Sequence, residues 1–388
     1  MRWKEAQVLR FPLLGQRLDL LLVAATAIAL MATPSVAQAA SVYVINYGAN
    51  TVSQYDVGPR GRLSPKTPRT VGAGNRPTGI AVSPNGKNVY VTNVIGNNVS
   101  QYTVGPGGKL FPKIPARVPT GLRPQDIAVS PDGHSVYVVN ERSDNVSQYT
   151  VGRRGKLSPK TPATIRAGYG PQDVVVSPDG DSVYVRNIFN DAGAPDPCYD
   201  VHIGSISQYD VSPHGSLSAK SPHCASAWGQ GSGLAISPDG QDVYMAGFFC
   251  GGSTCQSDAG ESFDVGHGGV LSHSDFFYVA CDGSWEVVVS PDDRSVYVTN
   301  ACGRVRQYHR SPTGRLLSKF PAGVAAGSSP AGLAITPNGT SLYVANYNGD
   351  SISQYNIAAR GKLSPKGPAK APAGNQPLEV ATNPPAIP

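Results

Sequence analysis

Beyond its first forty residues the sequence has no apolar run long enough to cross a membrane as a helix, which takes about 20 residues. It also lacks a sustained 3.6-residue apolar period, the pattern of an amphipathic helix. The 44 Gly and 34 Pro residues make up about a fifth of the 388 residues, and both types disfavour helix interiors. These absences predict a chain that is almost all β.

Several catalytic and cofactor motifs are also missing. There is no HExxH, no GxSxG, no P-loop, no CxxC pair and no CxxCH haem motif. The spacing Gly229-x-Gly231-x-Gly233 precedes a predicted strand rather than a helix, so it is not a dinucleotide signature. Without the four basic and two acidic residues of positions 1–39, 28 Lys and Arg stand against 24 Asp and Glu. That balance is too weak to predict a nucleic-acid partner.

The N-terminus has the pattern of an export signal. Arg2, Lys4, Arg10 and Arg17 precede an apolar run of 13 residues, from 20 to 32, and small residues follow at 37–39. We therefore predict a signal peptide at 1–39, with a retained anchor as the alternative. The mature chain would be secreted, periplasmic or on the cell surface, with one domain at 40–384 and a tail at 385–388.

Internal repetition dominates the rest of the chain. The best copy reads PQDIAVSPDG, SVYVVN, NVSQYTV and GKLSPKTP between residues 124 and 162, which predicts four strands joined by tight turns. A strand tyrosine marks seven such units: Tyr43, Tyr90, Tyr137, Tyr184, Tyr244, Tyr297 and Tyr343. Insertions at 188–204 and 248–261 enlarge two units. Seven antiparallel four-stranded units predict an all-β, seven-bladed β-propeller.

The two ends of the repeat region complement each other. Residues 42–46 form a second strand with no first strand before it, and LEVAT at 378–382 is a first strand with no second strand after it. Together they predict a ring closed by the C-terminal strand, which removes open sheet edges. An open β-solenoid is the alternative, but it does not explain the matched fragments. SPKTP is expected at an exposed outer edge, where Lys and Pro discourage pairing.

The residues Tyr90-Val91-Thr92-Asn93, Tyr297-Val298-Thr299-Asn300 and the Ser-Pro-Asp/Asn-Gly turns resemble the YVTN-repeat propellers, which include lactonase-like propellers related to 6-phosphogluconolactonase. The resemblance covers residues 41–384 and implies lactone hydrolysis or isomerisation at the channel mouth. Such relatives often carry His at the head of a first strand and Asn-Glu after the second. This chain keeps Asn140-Glu141 but has Gln125-Asp126 in place of that His.

One aligned position near the start of each first strand predicts a ring of residues at the channel mouth. It is occupied by Gly79, Asp126, Asp173, Gly233, Glu286, Gly332 and Glu379. Unpaired carboxylates would raise one another's pKa, so an Arg, a water or a cation should accompany them. One alternative is that they accept backbone hydrogen bonds from neighbouring blades. The other is that they bind a cationic ligand or a divalent cation, calcium or magnesium, although no cofactor is required and no metal ligands are assigned.

We expect a monomeric binding or interaction module for a small molecule or an extracytoplasmic protein or surface ligand, with lactone hydrolysis as the rival function. For an enzyme, the candidate catalytic residues are Asp126, Glu141, Arg142 and Asp173. Further candidate ligand-binding residues are Glu286, Glu379, Arg76, Arg123, Asp196, Asp200 and His202. The last three lie in the first insertion, where long loops on a rigid scaffold often bind ligands.

All six cysteines fall in units four to six, on the face opposite the tight turns. An even count in an exported chain predicts disulfides, and six cysteines allow fifteen pairings. We predict Cys281–Cys302, Cys250–Cys255 and Cys198–Cys224. The first is favoured because its cysteines flank two neighbouring antiparallel strands.

Overall fold

The computed structural model describes residues 40–189, 204–251, 254–256, 259–281 and 283–383. These residues form strands and short 3-10 turns, with no α-helix among them. The predicted all-β class is confirmed. The alternation of valines with tyrosines, bounded by Pro- and Gly-containing turns, gives strands that are buried on both faces.

The first three strands, in what we call blade I, are β1 (Ser41–Asn46), β2 (Thr51–Val57) and β3 (Leu63–Gly72). Blade II comprises β4 (Pro77–Val82), β5 (Asn88–Asn93), β6 (Asn98–Val104) and β7 (Leu110–Pro119). Blade III comprises β8 (Pro124–Val129), β9 (Ser135–Asn140), β10 (Asn145–Val151) and β11 (Leu157–Arg166). Blade IV comprises β12 (Tyr169–Val176), β13 (Ser182–Phe189), β14 (Gly204–Val211) and β15 (Leu217–Ala227).

Blade V adds a short extra strand and comprises β16 (Gly229–Ile236), β17 (Asp242–Gly251), β18 (Thr254–Gln256), β19 (Ala259–Val265) and β20 (Leu271–Tyr278). Blade VI comprises β21 (Ser284–Val289), β22 (Ser295–Asn300), β23 (Arg304–Arg310) and β24 (Leu316–Ala325). Blade VII comprises β25 (Pro330–Ile335), β26 (Ser341–Asn346), β27 (Ser351–Ile357) and β28 (Leu363–Pro372). The last strand is β29 (Pro377–Asn383).

The ring closes as predicted. β29 pairs antiparallel with β1, with Val380 opposite Val44, so the C-terminal strand becomes the first strand of blade I. The seven innermost strands contact one another in a closed circuit, from β4 through β8, β12, β16, β21 and β25 to β29 and back to β4. The described residues therefore form a seven-bladed propeller with a central channel.

The repeated tyrosines tie neighbouring blades together. The hydroxyl of Tyr90 on β5 donates a hydrogen bond of 2.8 Å to the carbonyl of Gly155, in the turn before the outer strand of the next blade. The other six second-strand tyrosines make the equivalent bond, so the set runs around the whole ring. Third-strand tyrosines bond in the opposite direction: Tyr149 donates to the Pro119 carbonyl of the preceding blade at 2.6 Å. Phe263 is buried at that position in blade V.

The expectation for the lysine of SPKTP is wrong, because Lys66 and Lys160 are buried. Lys113 has the same position in the phrase FPKIP. Lys113 on β7 is buried, and its Nζ donates to Asn88 at 2.8 Å, to Thr103 at 2.9 Å and to the Arg154 carbonyl of the next blade at 2.7 Å. Lys160 likewise bonds the His214 carbonyl of the following blade. This lysine is an inter-blade contact because the turn of the next blade covers it.

One junction uses a different cation. Blade V has Ser274 where other blades have this lysine, and Arg310 of blade VI enters the space instead. Its guanidinium pairs with Asp242 of blade V, with Asp239 at 2.9 Å and with Asp293 at 2.6 Å. The missing positive charge is therefore supplied from the neighbouring blade.

Candidate functional site

The central channel contains a candidate site. Side chains from all seven first strands line a cavity of about 700 Å³. The predicted column is in register around this cavity, because each glycine adjoins the carboxyl group of the following blade. A Cβ on Gly79 would lie 2.7 Å from Asp126 Oδ1, and one on Gly332 would lie 2.4 Å from Glu379 Oε1. The glycines thus leave room for the carboxyl groups of Asp126, Glu286 and Glu379.

Asp126 and Asp173 form a pair on adjacent strands β8 and β12. The Val174 N–H donates to Asp173 Oδ1 at 2.7 Å and to Asp126 Oδ2 at 3.3 Å, so the two carboxyl groups lie close together against one donor. Leu234 N–H of the next blade donates to Asp173 Oδ2 at 2.6 Å. The predicted alternative of backbone hydrogen bonding between blades therefore holds for both residues.

Glu286 and Glu379 complete the ring, and among the described residues their carboxyl groups accept hydrogen bonds only from their own strands. Each accepts the N–H of the following residue, Val287 at 3.1 Å and Val380 at 3.0 Å. Burial, followed by the neighbouring carboxyl groups, raises the pKa of Asp126 and of Glu286 well above their usual values. Burial raises the pKa of Glu379 to about 8. At neutral pH Glu379 is therefore mostly protonated.

A cation that the sequence reasoning missed lies behind this ring. Arg186 on β13 is directly opposite Asp173 in the strand pairing, and its side chain is only 1% exposed. Arg186 interacts electrostatically with Asp173, Glu261 and Glu286, while burial lowers its pKa to about 10. The signal was present in the sequence, since SVYVRN has an arginine where the other six units have Ile45, Thr92, Val139, Ala246, Thr299 and Ala345.

A smaller pocket lies between blades III and IV, on the face opposite the tight Pro- and Gly-containing turns, which we call the loop face. It measures about 240 Å³ and is lined by Arg123, Glu141, Arg142, Asp144, Tyr169 and Gly170. Arg123 Nε lies 3.3 Å from Glu141 Oε2. Gln125, which also lines the channel, donates from Nε2 to the same Glu141 oxygen. The structure thus separates Glu141 and Arg142 from the Asp126–Asp173 pair, and Gln125 connects the two places.

Arg76 belongs to neither place. Its guanidinium lies 5.3 Å from the ring centre of Tyr47, and Nη1 donates to the Tyr47 hydroxyl at 3.2 Å. Tyr47 in turn packs against Tyr347 of blade VII, with ring centres 6.2 Å apart. Asp196, Asp200 and His202 lie outside the described residues.

The disulfide predictions have different outcomes. Cys281–Cys302 is confirmed, with a Cα–Cα distance of 5.7 Å. Cys224 is also disulfide-bonded, but its predicted partner Cys198 lies outside the described residues. Cys250 and Cys255 are opposite each other in the pairing of β17 with β18, which is consistent with the predicted bridge.

Metal binding gains no support from the described part of the chain. No group of three or more His, Cys, Asp or Glu side chains there is placed to hold a metal ion. The calcium or magnesium site at the channel mouth stays a prediction. Calorimetric titration of the purified protein with either cation would test it, and no heat of binding with an unchanged melting temperature would remove it.

A family model described as "Lactonase, 7-bladed beta-propeller" matches residues 36–163 and 261–382. The chain belongs to this family. The two matched segments contain the channel residues Asp126, Glu286 and Glu379 and the pocket residues Glu141 and Arg142. Residues 164–260, which include Asp173 and Arg186, lie between the segments of this lactonase match.

Solved propeller structures match this chain over nearly their own whole length. A putative 6-phosphogluconolactonase from Bacteroides fragilis matches with a TM-score of 0.70 at 16% identity, covering 89% of this chain and 98% of that one. A periplasmic gluconolactonase from Pseudomonas aeruginosa matches with a TM-score of 0.70 at 18% identity, covering 89% and 99%. A hydrazine synthase from Kuenenia stuttgartiensis matches with a TM-score of 0.57 at 19% identity, covering 78% and 88%. Such identities show the fold alone.

No curated protein matches this lactonase-family chain. Within the described residues, no helix is long and apolar enough to cross a membrane.

Proposed function

We propose that the protein hydrolyses a small lactone at the loop-face mouth of its central channel. The observation that carries the proposal is the ring of carboxyl groups from Asp126, Asp173, Glu286 and Glu379, brought to one cavity of about 700 Å³. Their raised pKa values keep protonated, acid forms available near neutral pH, and two short backbone hydrogen bonds favour the ionised form at Asp173. Membership of the lactonase propeller family supports the same reaction.

The chemistry requires one group of each kind. An ionised carboxylate takes a proton from water as the water oxygen bonds to the acyl carbon. The ring C–O bond then breaks, and a protonated carboxyl group donates its proton to the leaving oxygen. We assign these roles to the Asp126–Asp173 pair. Arg123 and Arg142 in the adjoining pocket are the candidate groups for holding the oxyanion or the product carboxylate.

The test is a turnover screen with simple sugar and aliphatic lactones, in which hydrolysis is measured as acid release at constant pH. The D126N/D173N double variant keeps side-chain oxygens that can accept the Val174 and Leu234 N–H groups, so it should fold. We expect it to lose at least about 100-fold in kcat/KM, as for the removal of general acid–base groups. Asp264→Asn changes an exposed carboxylate on β19 and serves as the control. Hydrolysis that survives the double substitution would overturn the assignment.

Binding without turnover is the second candidate function. Asp126 and Asp173 already accept backbone hydrogen bonds, which is a structural role, and partly exposed Trp285 lines the channel beside Glu286. Aromatic and carboxyl groups together suit a neutral hydroxylated ring. A lactone or its hydroxy acid that raises the melting temperature without being consumed would favour this function. Inactivity together with no thermal shift across the screen would contradict both.

We further propose an extracytoplasmic location. The Cys281–Cys302 disulfide supports it, because disulfides persist in oxidising compartments. The basic and apolar pattern of residues 1–39 supports it independently. Cell fractionation with N-terminal sequencing of the recovered protein tests both parts. Recovery from the cytoplasm with an intact N-terminus would contradict the proposal.

A further inference from the structure

The junction of blades IV and V departs from the repeat at residues that face one another. Arg186 occupies a second-strand position where the other blades have uncharged residues. Glu261 on β19 replaces the serine of the SQY phrase, is 2% exposed, and accepts the Trp228 N–H at 3.0 Å and the Gly229 N–H at 2.7 Å. A buried cation and a buried acid thus meet beside Asp173.

The guanidinium of Arg186 is unusually isolated. None of its three nitrogens has a hydrogen-bond partner within the described ranges, although the side chain is almost fully buried. In blades II and VI the equivalent Thr92 and Thr299 bond backbone carbonyls of the next blade, at 3.0 and 2.8 Å. A buried charge without hydrogen bonds must be compensated by nearby opposite charge. The acidic groups that interact with Arg186 are Asp173 first, then Glu261 and Glu286.

The Asp126–Asp173 pair is itself asymmetric. Asp173 accepts two short backbone hydrogen bonds, from Val174 at 2.7 Å and Leu234 at 2.6 Å. Asp126 accepts the longer Val174 contact of 3.3 Å and interacts with its own neighbour, the Ile127 N–H. Two carboxyl groups that lie this close, against the same N–H, do not both ionise readily, and the negative charge is favoured where the shorter donor contacts and the positive charge lie. Both the backbone donors and Arg186 favour Asp173.

We propose that Arg186 is a positioning residue that fixes the negative charge of the pair on Asp173 and leaves Asp126 as the proton donor. The catalytic consequence rests on the proposed lactone hydrolysis, with Asp173 as the base and Asp126 as the acid. The charge arrangement does not depend on that reaction. Other titratable groups that interact with the pair are Glu286 on β21 and Glu379 on β29. Glu261, whose Oε2 lies 3.6 Å from His273 Nε2, interacts with Arg186. Strand β16 contributes no titratable side chain.

The test measures the protonation of the pair directly. Protein labelled with ¹³C at aspartate carboxyl carbons is titrated by NMR, with the two resonances assigned from D126N and D173N. In Arg186→Gln we expect the titration midpoint of the pair to rise by about one pH unit or more, because a neighbouring positive charge has gone. Arg186→Lys retains the charge and should stay near the wild-type midpoint. Equal shifts in both variants, or no shift in Arg186→Gln, would overturn the proposal.

Two further variants keep the test decisive if Arg186→Gln fails to fold. With Arg186 intact, the Asp173 left in D126N should titrate at lower pH than the Asp126 left in D173N. The opposite order, or identical midpoints, would overturn the proposal. An absence of lactone turnover alongside the expected titrations would instead reject only the proposed function, so the two failures are distinguishable.

Discussion

At the scale of single residues, the fourth-strand lysines show how the repeat stabilises its blade junctions. Lys113 satisfies two side chains of its own blade and one carbonyl of the next, all from a buried position. Burial lowers its pKa to about 8. Its three hydrogen bonds are therefore made at some cost in desolvation, and the acceptors would be left unsatisfied without it.

We predict that Lys113→Met, which keeps the apolar stem, lowers the free energy of unfolding by about 1–3 kcal/mol, the cost of buried acceptors left without a donor. Urea unfolding monitored by tyrosine fluorescence would measure this change in the free energy of unfolding. Lys87→Met removes an exposed lysine from the same blade and should change the midpoint little. If both variants unfold at the same urea concentration, the inter-blade bond does not contribute to stability.

At the scale of elements, the β21–β22 hairpin is held at its open end by Cys281–Cys302. The chain enters β21 through Ala280 and Cys281, both with positive φ, 61° and 68°, which is unfavourable for residues other than glycine. This entry positions Trp285 and Glu286 at the channel. The disulfide is therefore a covalent constraint close to two residues of the candidate site.

We predict that C281S/C302S lowers the free energy of unfolding by about 3 kcal/mol, the loop-closure value for a separation of 21 residues. Because the hairpin hydrogen bonds remain, the fold should persist. Chemical denaturation without reductant compares the variant with wild type, and Cys224 stays bonded in both. A variant as stable as the wild type would show that the hairpin is closed by its backbone alone.

The strands and their order could be predicted from the sequence because each blade repeats the same period-two pattern and the same turns. The ring of Asp126, Asp173, Glu286 and Glu379 followed from that alignment alone. Burial of Lys113 could not be predicted, since it depends on which side of the outer strand the next blade covers. Arg186 was missed because one departure among seven repeats looks like a tolerated substitution until its burial is known.

At the scale of the whole molecule, closure of the ring depends on β29. This strand supplies the first strand of blade I, and Val380 packs in the same cluster as Val42 and Val44. Without β29, the backbone edge of β1 and this apolar cluster would be exposed.

We predict that truncation after Gln376, which removes β29, gives a protein that aggregates or melts well below the wild type. Truncation after Asn383 removes only residues 384–388 and should leave the melting temperature unchanged. Size-exclusion chromatography and thermal melting of the two truncations would measure this. A monomeric chain that ends at Gln376 and keeps wild-type stability would show that the ring does not need its closing strand.

The carboxyl ring also gives the whole molecule a pH dependence. Burial raises the pKa of Glu379 from 4.5 to about 8, so between these values the folded protein holds a proton that the unfolded chain releases. The stabilisation from this proton is complete below about pH 4.5 and decreases as the pH rises to about 8. Glu379→Gln is neutral at every pH and retains an oxygen for the Val380 N–H, so its stability should decline less between pH 5 and 8. Melting temperatures across this pH range give the slope of stability against pH, with Asp264→Asn as the control. Equal slopes for Glu379→Gln and wild type would show that Glu379 is already ionised in the folded ring.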